Sequence, residues 1–243
     1  MDGVLRSTKY AFGPNRLHLC GPDANSEIFA YMVNGATDEG LKSLLRKFQT
    51  MFPYLKNIAD ANNIRDPFDN SVVEAYWIGN KLLDTISKKQ IYSHLKDSLK
   101  VNKTLKKNEF ARVENKIDAG AKMHHSFHVF NIWKRTGNDT SYHTLDSMDK
   151  CRISWGKVVS VDGPSIKVKT EPLLMNPNGI LQLGGEIEKK LIRKLNDDYM
   201  IDVKIGDIIS IHWDLPCEII TPEQKKYLER HTQLSINLAN SSR

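Results

Sequence analysis

The chain has 243 residues, of which 40% are hydrophobic and 26% are charged. This composition is typical of a soluble globular protein and excludes a disordered one. No apolar run approaches the roughly 20 residues that cross a bilayer, and the first residues show no secretion signal, so we predict a cytoplasmic protein without membrane association. The net charge of +6 is scattered among acidic residues, a pattern that does not favour nucleic acid as a partner.

The cysteines and the sequence periodicity indicate the compartment and the domain organisation. Cys20, Cys151 and Cys217 are an odd number with no paired spacing, which fits a reducing compartment better than a disulfide framework. The apolar pattern changes from helical spacing to alternation near residue 148. We therefore predict two domains, residues 1–147 and residues 148–243.

The first half carries the start and stop signals of several helices. Asn25 or Ser26 begins a helix that ends at Gly35. Further helices are predicted to begin at Thr37 or Asp38, at Asp69 or Asn70, at Ser87 and at Glu109. Residues 100–108 are polar and are predicted to form a loop.

The second half carries the pattern of short antiparallel strands. Runs rich in Val and Ile, separated by Gly, Pro and Asn turns, predict strands at 152–161, 165–170, 186–191 and 207–213. Pro222 is predicted to begin a final helix that extends to about residue 239. The predicted fold class is α+β: an N-terminal all-α helical domain, then a small OB-like antiparallel β-barrel of five strands and a C-terminal helix.

A histidine cluster in the first half is a candidate metal site. If the segment is helical, His124 and His128 are four residues apart and share a face, a spacing at which two imidazoles can bind one metal ion. If residues 127–133 are extended, the two rings lie about 13 Å apart and cannot share an ion. No glutamate completes a zinc-protease motif. His125 is a candidate beside them.

The segment 12–22 is a second candidate, because Gly-Pro pairs flank Arg16, His18 and Cys20. Such a run is typical of an ordered loop with a binding role. Alternatively, Cys20 is a small buried hydrophobe and the segment packs over the helices.

Two polar residues interrupt an otherwise apolar helix. A buried carboxylate is costly without a partner, so Glu74 either faces solvent or pairs with a cation such as Arg16. Asn80 follows it on the same helix. A structural ion pair is the simpler interpretation.

The third candidate combines a cysteine and a histidine of the strand-rich half. Cys151 lies five residues before Gly156, at the start of the first predicted strand, and Ile205-Gly206-Asp207 leads into the last one, which ends near His212. Thiolate and imidazole suit soft and borderline metals. From spacing alone, a core cysteine and a solvent-facing histidine remain an alternative.

These motifs resemble the HypC/HupF family of hydrogenase assembly chaperones, which hold an iron group while a nickel-iron centre is built. The resemblance implies that Cys151 is the iron-binding thiol, that His212 lies beside it, and that a client or other maturation protein is the partner. With the segment 12–22, the Glu74 region and the histidine cluster, the whole chain also resembles an uncharacterised bacterial and archaeal family that places a helical domain before such a barrel.

Two functional hypotheses follow. The first is a metal-centre assembly chaperone related to hydrogenase maturation, which binds iron or a client protein through Cys151. The alternative is a metal-dependent enzyme of unknown reaction, whose site in the helical domain is lined by the histidine cluster.

Overall fold

The computed structural model describes residues 1–132, 144–196 and 199–241, and these residues form helices followed by an antiparallel sheet and a C-terminal helix. The predicted α+β class is confirmed. The α-helices before the sheet are α1 (Gly3–Asn15), α2 (Asn25–Asn34), α3 (Glu39–Arg46), α4 (Met51–Ala61), α5 (Asn70–Trp77), α6 (Lys88–Ser93), α7 (Val101–Thr104), α8 (Lys107–Asp118), α9 (His125–Phe127) and α10 (Leu145–Cys151). A 3-10 helix covers Lys81–Asp84, and short π-helices cover His94–Ser98 and His128–Ile132.

Helix starts follow the local capping chemistry that the sequence predicts. The side chains of Asp38, Asp69 and Ser87 each accept a hydrogen bond from a backbone N–H in the first turn of α3, α5 and α6. Gly35, with a φ of 64°, closes α2. The helix predicted from Thr37 or Asp38 is α3, which ends at Arg46, and a new helix, α4, begins at Met51. The loop predicted at 100–108 contains α7 and the start of α8.

Helix α1 corrects the prediction of a loop over residues 12–22. The Asp2 side chain accepts from the backbone N–H groups of Val4 and Leu5 and starts the helix, which continues to Asn15. Gly13 and Pro14 suggest a turn, yet both are buried in the last turn of α1. Packing of this turn against the sheet outweighs the weak helix propensity of the pair.

The strands are β1 (Ser154–Asp162), β2 (Ser165–Thr170), β3 (Leu173–Met175), β4 (Leu181–Leu183), β5 (Ile187–Ile192), β6 (Lys194–Leu195), β7 (Tyr199–Met200), β8 (Ile208–His212) and β9 (Leu215–Ile219). Five of them form one sheet in the order β5-β2-β1-β8-β9, with antiparallel neighbours. The two edge strands, β5 and β9, approach each other. Strand β9 was not predicted, so His212 lies at a hairpin and not at the end of the last strand.

The two halves of the chain share their largest hydrophobic core. It includes Tyr10 and Trp77 from the helices together with Trp155 and Leu215 from the sheet. Helix α1 packs on β8 and β9, and the C-terminal helix α11 (Pro222–Asn240) packs on α9. The predicted start of α11 is confirmed. Among the described residues, no helix combines the length and apolarity that crossing a membrane requires.

Candidate metal centre

Three side chains that are distant in sequence converge where the helices meet the sheet. Ligand atoms of His125, Cys151 and His212 all lie within 4.8 Å of one another. His125 is the first residue of α9, Cys151 is the last residue of α10, and His212 is the last residue of β8. The fold therefore builds the cluster from three separate elements.

The β8–β9 hairpin positions His212 beside Cys151. Its two turn residues, Trp213 and Asp214, have φ angles of 49° and 61°, the backbone of a tight two-residue turn that usually contains Asn or Gly. The backbone N–H of Trp213 donates to the carbonyl of Lys150 at 2.8 Å. Because Lys150 precedes Cys151, this bond ties the hairpin to the end of α10.

A glycine lets α1 approach the same hairpin closely. A Cβ atom at Gly13 would lie 2.9 Å from the carbonyl oxygen of His212 and 3.3 Å from Cβ of Trp213. Any larger residue would therefore displace α1 or the hairpin. The close approach brings the carbonyl of Tyr10 to within 2.7 Å of Nδ1 of His212.

His212 presents an unpartnered nitrogen to the cluster. Its Nδ1–H donates to the Tyr10 carbonyl, so the lone pair is on Nε2, and Nε2 is buried without a hydrogen-bond partner. Burial lowers the pKa of His212 to about 4, against the opposing effect of the Tyr10 and Cys151 carbonyls. The ring is thus neutral near pH 7, in the form that ligates metals.

His125 is held from both sides. Its Nε2 lies 2.8 Å from the carbonyl oxygen of Cys151 and 3.9 Å from Sγ of Cys151, and its Nδ1 lies 3.0 Å from the hydroxyl of Tyr76. Burial and the neighbouring His212 lower the pKa of His125 well below its usual value. In the neutral ring, Nε2–H donates to the carbonyl and the Tyr76 hydroxyl donates to Nδ1.

A small cavity of about 60 Å³ adjoins the three side chains. Its walls are mainly apolar and aromatic, formed by Ala11, Pro14, Leu19, Cys20, Phe48, Thr50, Met51, Tyr76, Trp77, His128 and Trp213 besides the cluster itself. Leu19, Cys20 and Cys151 are half-buried, whereas the other lining residues are buried. The cavity therefore reaches solvent beside these three residues.

The donor set fits a borderline transition metal. One thiolate and two imidazoles are ligands for zinc, iron, nickel or copper. In a tetrahedral site with bonds of about 2.0 to 2.3 Å, donor atoms lie about 3.5 Å apart. The longest separation in the cluster, up to 4.8 Å, would close by about 1 Å around an ion. Three protein ligands would leave one position toward the cavity.

His124 and His128 do not form the shared site that their spacing suggested. His124 precedes α9 with extended backbone, and its Nδ1 accepts from the N–H of Ser126. Its ring stacks on His231, with ring centroids 4.9 Å apart. His128 lines the cavity instead, with Nδ1 3.4 Å from the Tyr54 hydroxyl. Residues 128–132 are helical rather than extended, and residue 133 lies outside the described residues.

The three candidate residues of the segment 12–22 do not come together in one site. Arg16 and His18 are exposed at the end of α1, and His18 contacts Asp23 with Nδ1 3.2 Å from the carboxylate. Neither lines the cavity. Cys20 does line it, at the mouth.

Glu74 and Asn80 belong to an ion-pair network away from the cluster. Glu74 pairs with Arg6 at 2.8 Å, so the suggested partner Arg16 is wrong, although the interpretation as an ion pair is confirmed. Asn80 Nδ2 donates to Glu74 at 3.3 Å. Arg6 also pairs with the buried Glu218 at 2.8 Å. This network joins α1, α5 and β9.

Sequence reasoning did not identify the residues that orient the histidines. Tyr76 and Trp77 belong to the apolar stripe of α5 and have the pattern of ordinary core residues, yet Tyr76 holds His125 and Trp77 lies against both rings of the cluster. Tyr10 acts through its backbone carbonyl, for which no side-chain pattern exists. Only the recognition of helix α1 would have shown that the Tyr10 carbonyl is available to His212.

Comparison with known proteins places the chain in one family. A family model described as a family of unknown function, DUF6390, matches residues 1–243, so the chain belongs to that family. No match was found among curated proteins or among solved structures.

Proposed function

We propose that this DUF6390 protein binds one transition-metal ion through His125, Cys151 and His212 and acts as a metal-dependent enzyme on a ligand in the adjoining cavity. The observation that carries the proposal is the convergence of three metal-ligating side chains whose donor atoms lie within 4.8 Å of one another, one of them the buried Nε2 of His212, which has no hydrogen-bond partner. Buried polar atoms are nearly always satisfied, and a bound ion would satisfy this one.

The hydrogen bonds around the cluster support the same proposal. Metal-binding histidines usually donate their second ring N–H to a carbonyl or similar acceptor, which fixes the tautomer. His212 already does so toward Tyr10. For His125 the proton would move from Nε2 to Nδ1, and Nδ1–H would then donate a hydrogen bond to the Tyr76 hydroxyl, which donates in the other tautomer. His212 can therefore present a lone pair to the ion in its present orientation, and His125 can do so after a small rotation that breaks its bond to the Cys151 carbonyl.

The chemistry follows from the open position. A metal ion bound by three protein ligands supplies a Lewis acid, a bound hydroxide or a redox centre. The chain's own residues would keep this position within apolar walls, with Trp77 and Tyr76 fixing the rings on one side. Water would enter only past the half-buried residues at the mouth.

A resident ion fits this geometry better than a transported one. The three ligands come from α9, α10 and β8, and His125 and His212 are 6% and 1% exposed. Release of an ion would require these elements to separate. A carrier that delivers its metal to a client needs a more accessible set of ligands.

The carrier hypothesis is the second candidate function, because Cys151 is half-buried at the mouth and one of its neighbours is His212. In this case the ion would be iron, as the resemblance to hydrogenase assembly chaperones implies, and a client protein would contact the mouth. The two candidates use the same ligands but differ in how readily the ion leaves.

Metal loading tests the proposal. Protein stripped of metal would be titrated anaerobically with Fe(II), Co(II) and Zn(II), and bound metal would be measured after gel filtration. We expect one ion per chain, with a thiolate charge-transfer band for Co(II), and we expect Cys151→Ala and His212→Gln to lose it. Cys217→Ala and His18→Gln are matched controls that should keep it, since neither residue lines the cavity. Equal loading of Cys151→Ala and wild type would overturn the proposal.

The rate of metal loss separates the candidates. A resident ion should survive dialysis against a chelator for hours, whereas a carried ion should leave within minutes. Circular dichroism of each variant shows whether a lost ion reflects a lost ligand or an unfolded chain.

A further inference from the structure

We propose that the open position of this metal site takes a compact, uncharged ligand of about two or three non-hydrogen atoms, the chemical class of dissolved diatomic gases. The inference rests on the proposed metal site and concerns what binds there. Its basis is the size, the lining and the mouth of the cavity.

The volume of the cavity sets the upper limit on the size of the ligand. The cavity measures about 60 Å³, whereas a buried cavity that holds benzene measures about 150 Å³. A ring or a branched acid would not fit without displacing Phe48, Met51 or Trp77, which are buried at 1 to 3% exposure. A diatomic or triatomic molecule fits beside the ion.

The residues that line the cavity determine which ligand charge it favours. Among the described residues that line the cavity there is no Asp, Glu, Lys or Arg. A carboxylate, a phosphate or an ammonium group would lose its hydration on entry and would find no ionic partner except the ion itself. The Tyr76 hydroxyl is engaged with His125. Protein contacts therefore favour a neutral ligand held by its bond to the metal.

The mouth of the cavity also favours a neutral ligand. It lies beside Leu19, Cys20 and Cys151, an aliphatic side chain and two cysteines. Arg16 and His18, the polar residues of the neighbouring loop, are exposed and do not line the cavity. Apart from the Cys151 thiolate that would hold the ion, no charged group of the described lining residues would attract an anion or a cation inward.

Nitric oxide is a suitable probe because it is neutral, diatomic and visible in spectra. Protein loaded with Fe(II), or with Co(II) if iron does not bind, would be titrated anaerobically with nitric oxide, imidazole and acetate, followed by absorption and EPR. We expect saturation with one equivalent of nitric oxide and no spectral change with imidazole or acetate at about hundredfold higher concentration. Binding of imidazole or acetate in the same range as nitric oxide would overturn the inference, as would the absence of a nitric oxide complex.

Two variants change the cavity without touching a ligand. Met51→Ala enlarges it and should admit imidazole with at least about tenfold tighter binding than wild type, whereas Met32→Ala, whose residue is buried elsewhere, should not. Ala11→Leu fills the cavity and should abolish the nitric oxide complex while the ion stays bound. Nitric oxide binding that is unchanged in Ala11→Leu would place the ligand elsewhere.

The failures of the two proposals are distinguishable. If the stripped wild-type protein takes up no ion, the proposed metal site is wrong, and the ligand inference fails with it. If the protein takes up one ion but that ion does not bind nitric oxide, only the ligand inference is wrong.

Discussion

Nε2 of His125 lies 2.8 Å from the carbonyl oxygen of Cys151 and 3.9 Å from its thiol sulfur. The ring thus contacts the backbone and the side chain of one residue at once. The hydrogen bond to the carbonyl fixes the ring at the end of α10, and a small rotation would exchange the carbonyl for an ion bound to the sulfur. Because Tyr76 holds the opposite nitrogen, that hydroxyl decides how readily the exchange occurs.

We therefore expect Tyr76→Phe to weaken metal binding. The variant removes the hydroxyl that orients His125 and that would accept the hydrogen bond from its Nδ1–H, a change that typically costs about 10 to 100-fold in metal affinity. Competition with a chromophoric chelator measures the affinity directly.

Tyr54→Phe is the matched control. Tyr54 is equally buried and its hydroxyl faces His128 at 3.4 Å, not a residue of the cluster. The metal affinity of Tyr54→Phe should stay within about threefold of wild type. Equal losses in both variants would show that Tyr76 acts only through packing.

Gly13 provides a test of how α1 positions His212. Alanine is about 1 kcal/mol better than glycine inside a helix, so local propensity favours Gly13→Ala. Its Cβ, however, would lie 2.9 Å from the His212 carbonyl. We expect a net loss of about 1 to 3 kcal/mol in the free energy of unfolding, the typical cost of overpacking, together with weaker metal binding.

Urea unfolding and metal competition measure the two effects. Gly185→Ala is the control, because a Cβ there meets nothing within 4 Å. Stabilisation by Gly13→Ala with unchanged metal affinity would contradict the argument that this contact requires glycine.

The buried pair of Arg6 and Glu218 supports the same helix. These side chains are 3% and 5% exposed and meet at 2.8 Å, and the Tyr10 hydroxyl donates to the same carboxylate at 2.7 Å. Arg6→Met leaves Glu218 buried without its cation, which typically costs about 3 to 5 kcal/mol. Urea unfolding near pH 7 is the measurement.

A surface pair is the comparison. Arg46→Met removes an exposed contact with Glu39 and should cost less than about 1 kcal/mol. Adding Glu218→Leu to Arg6→Met should restore much of the stability. If Arg6→Met behaves like Arg46→Met, the pair is not a major support of α1.

The sequence was sufficient for features that depend on neighbouring residues. Asp38, Asp69 and Thr221 start helices by side-chain bonds that span three residues or fewer, and the alternation of Val and Ile is enough to predict β1, β2, β5 and β8. Helix α1 was missed because Gly13-Pro14 has the local pattern of a turn. The role of this glycine depends on His212, about two hundred residues later.

The candidate site shows the same division. Cys151 and His212 were selected by resemblance, and the structure brings them together with His125. Helical spacing instead singled out His124 and His128. Since α9 begins at His125, His124 is outside the helix, and the two rings do not share a face. Which histidine joins Cys151 depends on where the helix starts, and the sequence leaves that open.

A buried histidine away from the cluster makes the fold sensitive to acid. His94 is fully buried, and neither of its ring nitrogens has a hydrogen-bond partner in the described structure. The centroid of its ring lies 4.2 Å from the centroid of the Tyr54 ring. Burial, together with His128, lowers the pKa of His94 to about 3, whereas an unfolded histidine titrates near about 6.5. Below about pH 6.5 the unfolded chain binds a proton that the folded chain does not, so stability falls as the pH falls, by about 1.4 kcal/mol per pH unit for this residue.

His94→Phe keeps an aromatic ring against Tyr54 and removes the titration. Between about pH 7.5 and pH 5 we expect the variant to lose about 2 kcal/mol less free energy of unfolding than wild type, as measured by urea denaturation at each pH. His18→Gln, at an exposed position, should follow the wild-type curve. If His94→Phe and wild type lose stability in parallel, His94 must already be protonated in the folded protein, and its burial as a neutral ring would be wrong.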